Sequence, residues 1–210
     1  LTVARDHLEI ILLNLGKEIK RIMKSSITEA FIFMKVGNHA GENFEEILER
    51  KNKEFRKAGQ IFWGYGGTSC HPIRHVQPFA RSQLKMHTNI YLLMETIDSH
   101  AEPDIIPASE YSKDGIMWEK IPDGIEVLGS RYALILDEIK PGDLDICIAD
   151  YEVGIGPSRG RVASEYIRGH VDKACLVAKP VKANSQSKEK EKKHIQYSAK
   201  ILEPYAVMLR

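Results

Sequence analysis

The chain is 210 residues long, 43% hydrophobic and 28% charged, with a formal net charge of +1. That balance belongs to a globular chain able to bury a sizeable core, and it excludes a global field that would drive the protein onto nucleic acid or membrane, so any anion site must be a local patch. Cys70, Cys147 and Cys175 are too few and too far apart for a disulfide framework, and no apolar run reaches membrane-spanning length; the expectation is one domain over residues 1–210, cytoplasmic, without a signal peptide or a membrane partner.

In chain order, Leu8, Ile11, Leu12, Leu15, Ile19, Ile22 and Met23 recur at three- and four-residue steps, which predicts an amphipathic N-terminal helix within residues 1–26. Lys17, Lys20, Arg21 and Lys24 crowd its end, either as a solvated terminus favoured by the helix dipole or as a basic face for a protein partner. Residues 30–36 read as a buried strand and residues 37–41 as a loop. Asn43 reads as the N-cap of a charged helix, with Glu46 as its capping-box partner and Gly59 as the C-cap. Residues 61–63 are a short apolar strand, and 90–94 and 132–139 are further buried strands. Residues 98–107 read as a loop. Short strands are expected at 117–118 and 125–128, around the turn Pro122-Asp123-Gly124. Pro141-Gly142-Asp143 is a turn signal, followed by an alternating strand over 144–149. A helical stretch at 162–168, a strand at 174–178, a mobile charged loop at 184–193 and two closing strands at 195–202 and 205–209 complete the chain. The expected class is α+β: a mixed, barrel-like sheet with about three flanking helices.

Chemistry concentrates in two stretches. Residues 60–81, QIFWGYGGTSCHPIRHVQPFAR, run from an apolar strand into Gly64, Gly66 and Gly67, then into a dense set of polar groups. This stretch is expected to be a loop. Trp63, Tyr65, Gly66, Gly67, Thr68 and Arg74 are its candidate ligand-binding residues, because glycine lets a backbone approach a ligand while aromatics and arginines stack bases and hold phosphate. Trp118 and Arg81 belong to the same aromatic and basic set. Cys70, His71 and His75 are candidate catalytic residues, a thiolate beside an imidazole base. The same three side chains are short of the four ligands a closed zinc site needs, and neither metal nor cofactor is expected. The second stretch, residues 154–161, is a glycine-rich turn before a helix, where backbone N–H groups with Ser158, Arg159 and Arg161 suit an anion. Its spacing is neither that of a Walker A loop nor a clean GxGxxG.

The strand Phe31-Ile32-Phe33-Met34-Lys35 with its helix, followed by Gly59-Gln60-Ile61-Phe62-Trp63-Gly64-Tyr65 and the strand at 90–94, resembles the PUA-like superfamily, especially EVE-type members, over roughly residues 30–140. The resemblance implies a small barrel that holds a nucleobase in an aromatic pocket. The extension at 154–210 and the Cys70-His71-Pro72 segment depart from that pattern. The expected function is a binding module for a nucleotide or modified nucleic acid. A Cys/His-dependent hydrolase or transferase and a protein-interaction domain are the alternatives. If the two stretches serve one ligand, they must meet in space.

Overall fold

The computed structural model describes residues 29–66, 71–86, 89–101, 106–168, 171–180 and 192–210. The expected N-terminal helix, most of the charged loop at 184–193, and Gly67, Thr68 and Cys70 lie outside them.

The first strand, β1 (Ala30–His39), is apolar on both faces because both are covered. Phe31 and Phe33 pack with Leu93 and Leu176 on one side. Ile32 and Val36 pack with Leu92, Met94 and Trp63 on the other. The chain then forms α1 (Phe44–Ala58), β2 (Ile61–Gly64) and α2 (Ile73–Lys85) before β3 (Tyr91–Ala101) returns parallel to β1, with Ile32 opposite Leu92. This crossover is the one a parallel pair demands. The remaining strands are β4 (Glu110–Ser112), β5 (Glu119–Lys120), β6 (Tyr132–Leu136), β7 (Lys140–Cys147), β8 (Tyr151–Val153), β9 (Lys173–Ala178) and β10 (Lys192–Leu209), with a short α3 (Ala163–Tyr166) between β8 and β9. The hydrogen-bonded order among the described residues is β2-β6-β10-β3-β1-β9-β8, with β4 and β7 attached beside β10, β5 paired to β4, and every pair but β1/β3 antiparallel.

The α+β class and the mixed sheet with three helices among the described residues agree with the expectation. Closure does not: the path runs from β2 to β8, and those end strands do not pair. The closing strands expected at 195–202 and 205–209 are one 18-residue strand, β10. Its first half pairs with β7 and β3, and its second half with β6 and β4. Between Ile201 and Ala206 the register shifts, at the cis Glu203–Pro204 bond and Tyr205 at φ 72. A register shift of this kind bends the strand locally.

The α1 helix forms as its caps dictate. Asn43 Oδ1 accepts from the Glu46 N–H at 2.9 Å, the Glu46 carboxylate accepts from the Asn43 N–H at 2.8 Å, and Gly59 ends the helix at φ 70. Its buried stripe is unusual: Phe44, Ile47, Lys51 and Glu54 succeed one another at three- and four-residue steps. Lys51 and Glu54 are only 3% and 2% exposed and pair at 2.6 Å. Lys51 Nζ also donates to the Phe62 and Glu126 carbonyls, each at 2.7 Å, and Glu54 accepts from the Phe62 N–H at 3.1 Å. Strand β2 lies at the sheet edge, so among the described residues Phe62 has no neighbouring strand on that side. The ion pair supplies the missing donor and acceptor and closes the edge. Burial draws the Lys51 ammonium down to about 8 and pushes the Glu54 carboxyl up. Even so, the three acceptors around Nζ match the three protons of an ammonium.

Four local expectations are corrected. Residues 73–81, expected as part of a loop, belong to the helix α2 (Ile73–Lys85). Pro72 starts the helix, its carbonyl accepting from the His75 and Val76 N–H groups, and Val76, Phe79, Ala80 and Gln83 make the buried face. Pro141-Gly142-Asp143 lies within β7 rather than in a turn, Pro141 opposite Tyr197. Residues 117–118 and 125–128 are not strands, apart from a single bridge between Leu128 and Pro107. Strand β3 continues through residue 101 where a loop was expected.

Candidate functional site

Beyond Gly64 the backbone runs against β6 instead of out to solvent. The Tyr65 and Gly66 N–H groups both donate to the Tyr132 carbonyl at 3.0 Å. A Cβ on Gly66 would stand 2.6 Å from Tyr132 Cδ1 and 2.7 Å from the Tyr132 backbone nitrogen. Glycine is therefore required by a close backbone approach within the fold. Gly66→Ala is expected to cost about 1–3 kcal/mol. That would appear as a lower urea midpoint at unchanged slope; an unaltered midpoint would show that the contact relaxes freely.

Trp63 and Tyr65 are 5% and 0% exposed. The Trp63 indole N–H points at Met34 Sδ, 3.2 Å away. The stacking surface expected from Tyr65 is closed to a ligand, because its ring is wholly inside the core. Trp63 and Gly66 instead line a cavity of about 360 Å³ between β1, α1 and residues 126–130. Its cations are largely engaged already. Arg50 bonds Glu42 and the Glu126 carbonyl, Lys51 is bonded as above, and Lys35 donates to the Ile167 carbonyl at 2.9 Å.

The other candidates gather elsewhere. Arg74, His75, Phe79 and Gln83 on α2, and Gly154, Ile155, Gly156 and Arg159 on the second glycine-rich stretch, line one cavity of about 540 Å³. The two stretches therefore meet. The contact is made at Gly156, at φ 70, where a Cβ would stand 3.4 Å from both His71 Nδ1 and His75 Nδ1. Gly154 rests on Phe79 and Val177 so closely that a Cβ there would come within 2.9 Å of the Phe79 ring. Ser158 and Arg161 belong to the same turn but do not line the cavity. Of the expected backbone donors, the N–H groups of Gly154, Arg159, Gly160 and Arg161 are bonded to carbonyls of Cys175, Gly156, Val153 and Ser158. An anion here is therefore left chiefly to side chains: Arg74 and Arg159, both exposed.

His71 precedes α2 and is 6% exposed. Its ring stacks on Tyr166 of α3 at 5.8 Å and 8°, and its carbonyl accepts from the Tyr132 hydroxyl at 2.5 Å. Four residues on, His75 Nδ1 is buried without a hydrogen-bond partner among the described residues. An orphaned buried nitrogen beside a cavity is costly unless something enters to satisfy it. Burial first, and then the neighbouring His75, hold the His71 imidazole below its ordinary value; burial does the same for His39. Both rings are thus neutral in the folded protein near pH 7, while the unfolded chain gains their protons near 6.5. The stability they contribute is complete above that value and lost as pH falls through the lower folded ones. Melting temperatures should decline between pH 7 and 5, and less steeply in His71→Gln; a flat profile would contradict this.

Phe79 and Gln83 were not singled out from sequence, and Gly154 and Ile155 were marked only as part of the second glycine-rich stretch. The i, i+3, i+4 recurrence of Val76, Phe79 and Ala80 was the available signal, obscured by Pro78. The nucleophile reading rested on Cys70, outside the described residues. Among the described residues no three metal-ligating side chains gather to hold a metal ion, and no helix is long and apolar enough to cross a membrane. No family model, curated protein or solved structure matches the chain.

Proposed function

We propose that the chain binds a nucleotide, or the equivalent unit of a nucleic acid, in the cavity between α2 and residues 154–159. The observation that carries this reading is the convergence of the two stretches on Gly156. It sets two exposed arginines around a partly apolar hollow, beside a buried imidazole nitrogen of His75 that has no hydrogen-bond partner among the described residues. A base would lie against Phe79, Ile155 and Val177, and its phosphate would meet Arg74 and Arg159. The volume suits one nucleotide, and a local site fits a net charge of +1 better than a long duplex-binding face. The PUA-like resemblance of residues 30–140 favours the same ligand class, and three cysteines too few and too far apart for a disulfide framework suit a cytoplasmic setting.

Calorimetric titration with nucleosides, nucleoside 5′-monophosphates and short oligonucleotides tests the reading. Phosphorylated ligands should bind with a salt-dependent affinity and nucleosides much more weakly. No heat from any of them at millimolar concentration would remove the proposal.

A further inference from the structure

We propose that the cavity between β1, α1 and residues 126–130 binds a small organic acid, one carboxylate on a compact apolar body, with Lys173 as its counter-ion. This site is separate from the nucleotide cavity and does not depend on it.

Three features carry the proposal. The first is placement. Lys173 stands opposite Met34 in the antiparallel pair of β1 and β9, so the two side chains share one face of the sheet. The Trp63 indole N–H points at Met34 Sδ on that face, and Lys173 Nζ lies over the Tyr65 ring, 5.9 Å from its centroid. Lys173, Met34 and Trp63 all line the cavity.

The second is charge. Lys35, Arg50, Lys51 and Lys173 are the cationic residues of the lining. Arg50 pairs with Glu42 at 2.5 Å, Lys51 pairs with Glu54 at 2.6 Å, and Lys35 donates to the Ile167 carbonyl at 2.9 Å. Lys173 has no such engagement. Among the described residues no carboxylate pairs with its Nζ, although Glu126 and Asp172 belong to the same lining. The potential in the cavity is positive: burial first, and then the charges of Lys173 and Arg50, hold the imidazole of His39 in the cavity wall below its ordinary value. A half-buried ammonium among like charges is costly until an anion enters. One open cation beside a neutral imidazole matches a single negative charge. A phosphate dianion would leave half of its charge unmatched.

The third is the wall. Val36, Phe44, Ile47, Trp63 and Val127 supply apolar surface, and Asn38 and Ser130 add side-chain donors for a carboxylate. An apolar lining with a few polar groups is what orients a small ligand, and about 360 Å³ lies at the lower end of the range such sites occupy. The nucleotide cavity, at about 540 Å³, is larger.

The probe is benzoate, titrated into the full chain beside benzamide, its uncharged counterpart of the same shape. Binding is followed by calorimetry and by ¹H–¹⁵N spectra. Benzoate should shift the Trp63 indole and Gly66 signals and leave Gly156 in place. Benzamide should bind at least about ten-fold more weakly, the share of one charge-assisted contact. Lys173→Met should lower benzoate affinity by a similar factor with little change in melting temperature, and Lys173→Arg, which keeps the charge, should restore most of it. Arg74→Ala/Arg159→Ala should bind benzoate as wild type does, since neither arginine lines this cavity. An unmoved Trp63 indole at millimolar benzoate, equal affinities for benzoate and benzamide, or undiminished benzoate affinity in Lys173→Met would each overturn the proposal. Benzoate shifts centred on Gly156 would place the acid in the nucleotide cavity and overturn it as well.

Discussion

Lys51→Met is expected to destabilise the protein by about 3–5 kcal/mol, the range for breaking one half of a buried ion pair. In a chain of this length that lowers the melting temperature by roughly 10 °C. The substitution strands the Glu54 carboxylate inside the core and removes the donor to the Phe62 and Glu126 carbonyls. The double variant Lys51→Met/Glu54→Leu distinguishes this from an ordinary buried pair. Where a pair serves only itself, apolar replacement of both members is often neutral or stabilising. Here the pair also satisfies the N–H and C=O of an edge strand, and these remain unpaired whatever fills the space. Each such group costs about 1–3 kcal/mol, so the double variant should stay at least about 2 kcal/mol below wild type. Full recovery in chemical denaturation would show that the ion pair is not what closes the edge of β2.

Arg74→Ala/Arg159→Ala should weaken binding of a nucleoside monophosphate at least about 100-fold. Each charge-assisted contact contributes about 1.5–3 kcal/mol, and each 1.4 kcal/mol is a factor of about ten in affinity. The arginines come from different elements, and both are exposed. Their removal should leave the melting temperature nearly unchanged. Lost affinity at unchanged stability is the signature of a binding role. A double variant that binds as tightly as wild type would place the phosphate elsewhere.

How far the sequence could be read follows from which signals were local. The Asn43/Glu46 box, Gly59 and the strand at Ile61 were legible because caps and short apolar runs act through neighbouring residues. The α2 helix was hidden by Pro78, although Val76, Phe79 and Ala80 already carried its buried face. The β7 strand was hidden by Pro141 and Gly142, and Pro141 pairs with β10 only because a strand more than fifty residues later lies beside it. Lys51 and Glu54 had a signal that passed unread: two charges on the apolar stripe of α1, spaced as Phe44 and Ile47 are spaced. At the site, the residue types in both glycine-rich stretches were visible, but their meeting at Gly156 was not, since sequence holds no distance between His75 and Gly156. Nor could it show that Gly66 serves contact with β6 and that Tyr65 is sealed in the core.

The measurement closest to the central claim is a backbone ¹H–¹⁵N chemical-shift map during titration with a nucleoside 5′-monophosphate. A shared site predicts that His75, Phe79, Gly154, Ile155, Gly156 and Arg159 shift together along one binding curve, and that Trp63 and Gly66, lining the other cavity, move far less. Shifts centred on Trp63 and Gly66, or confined to one side of the Gly156 contact, would contradict it.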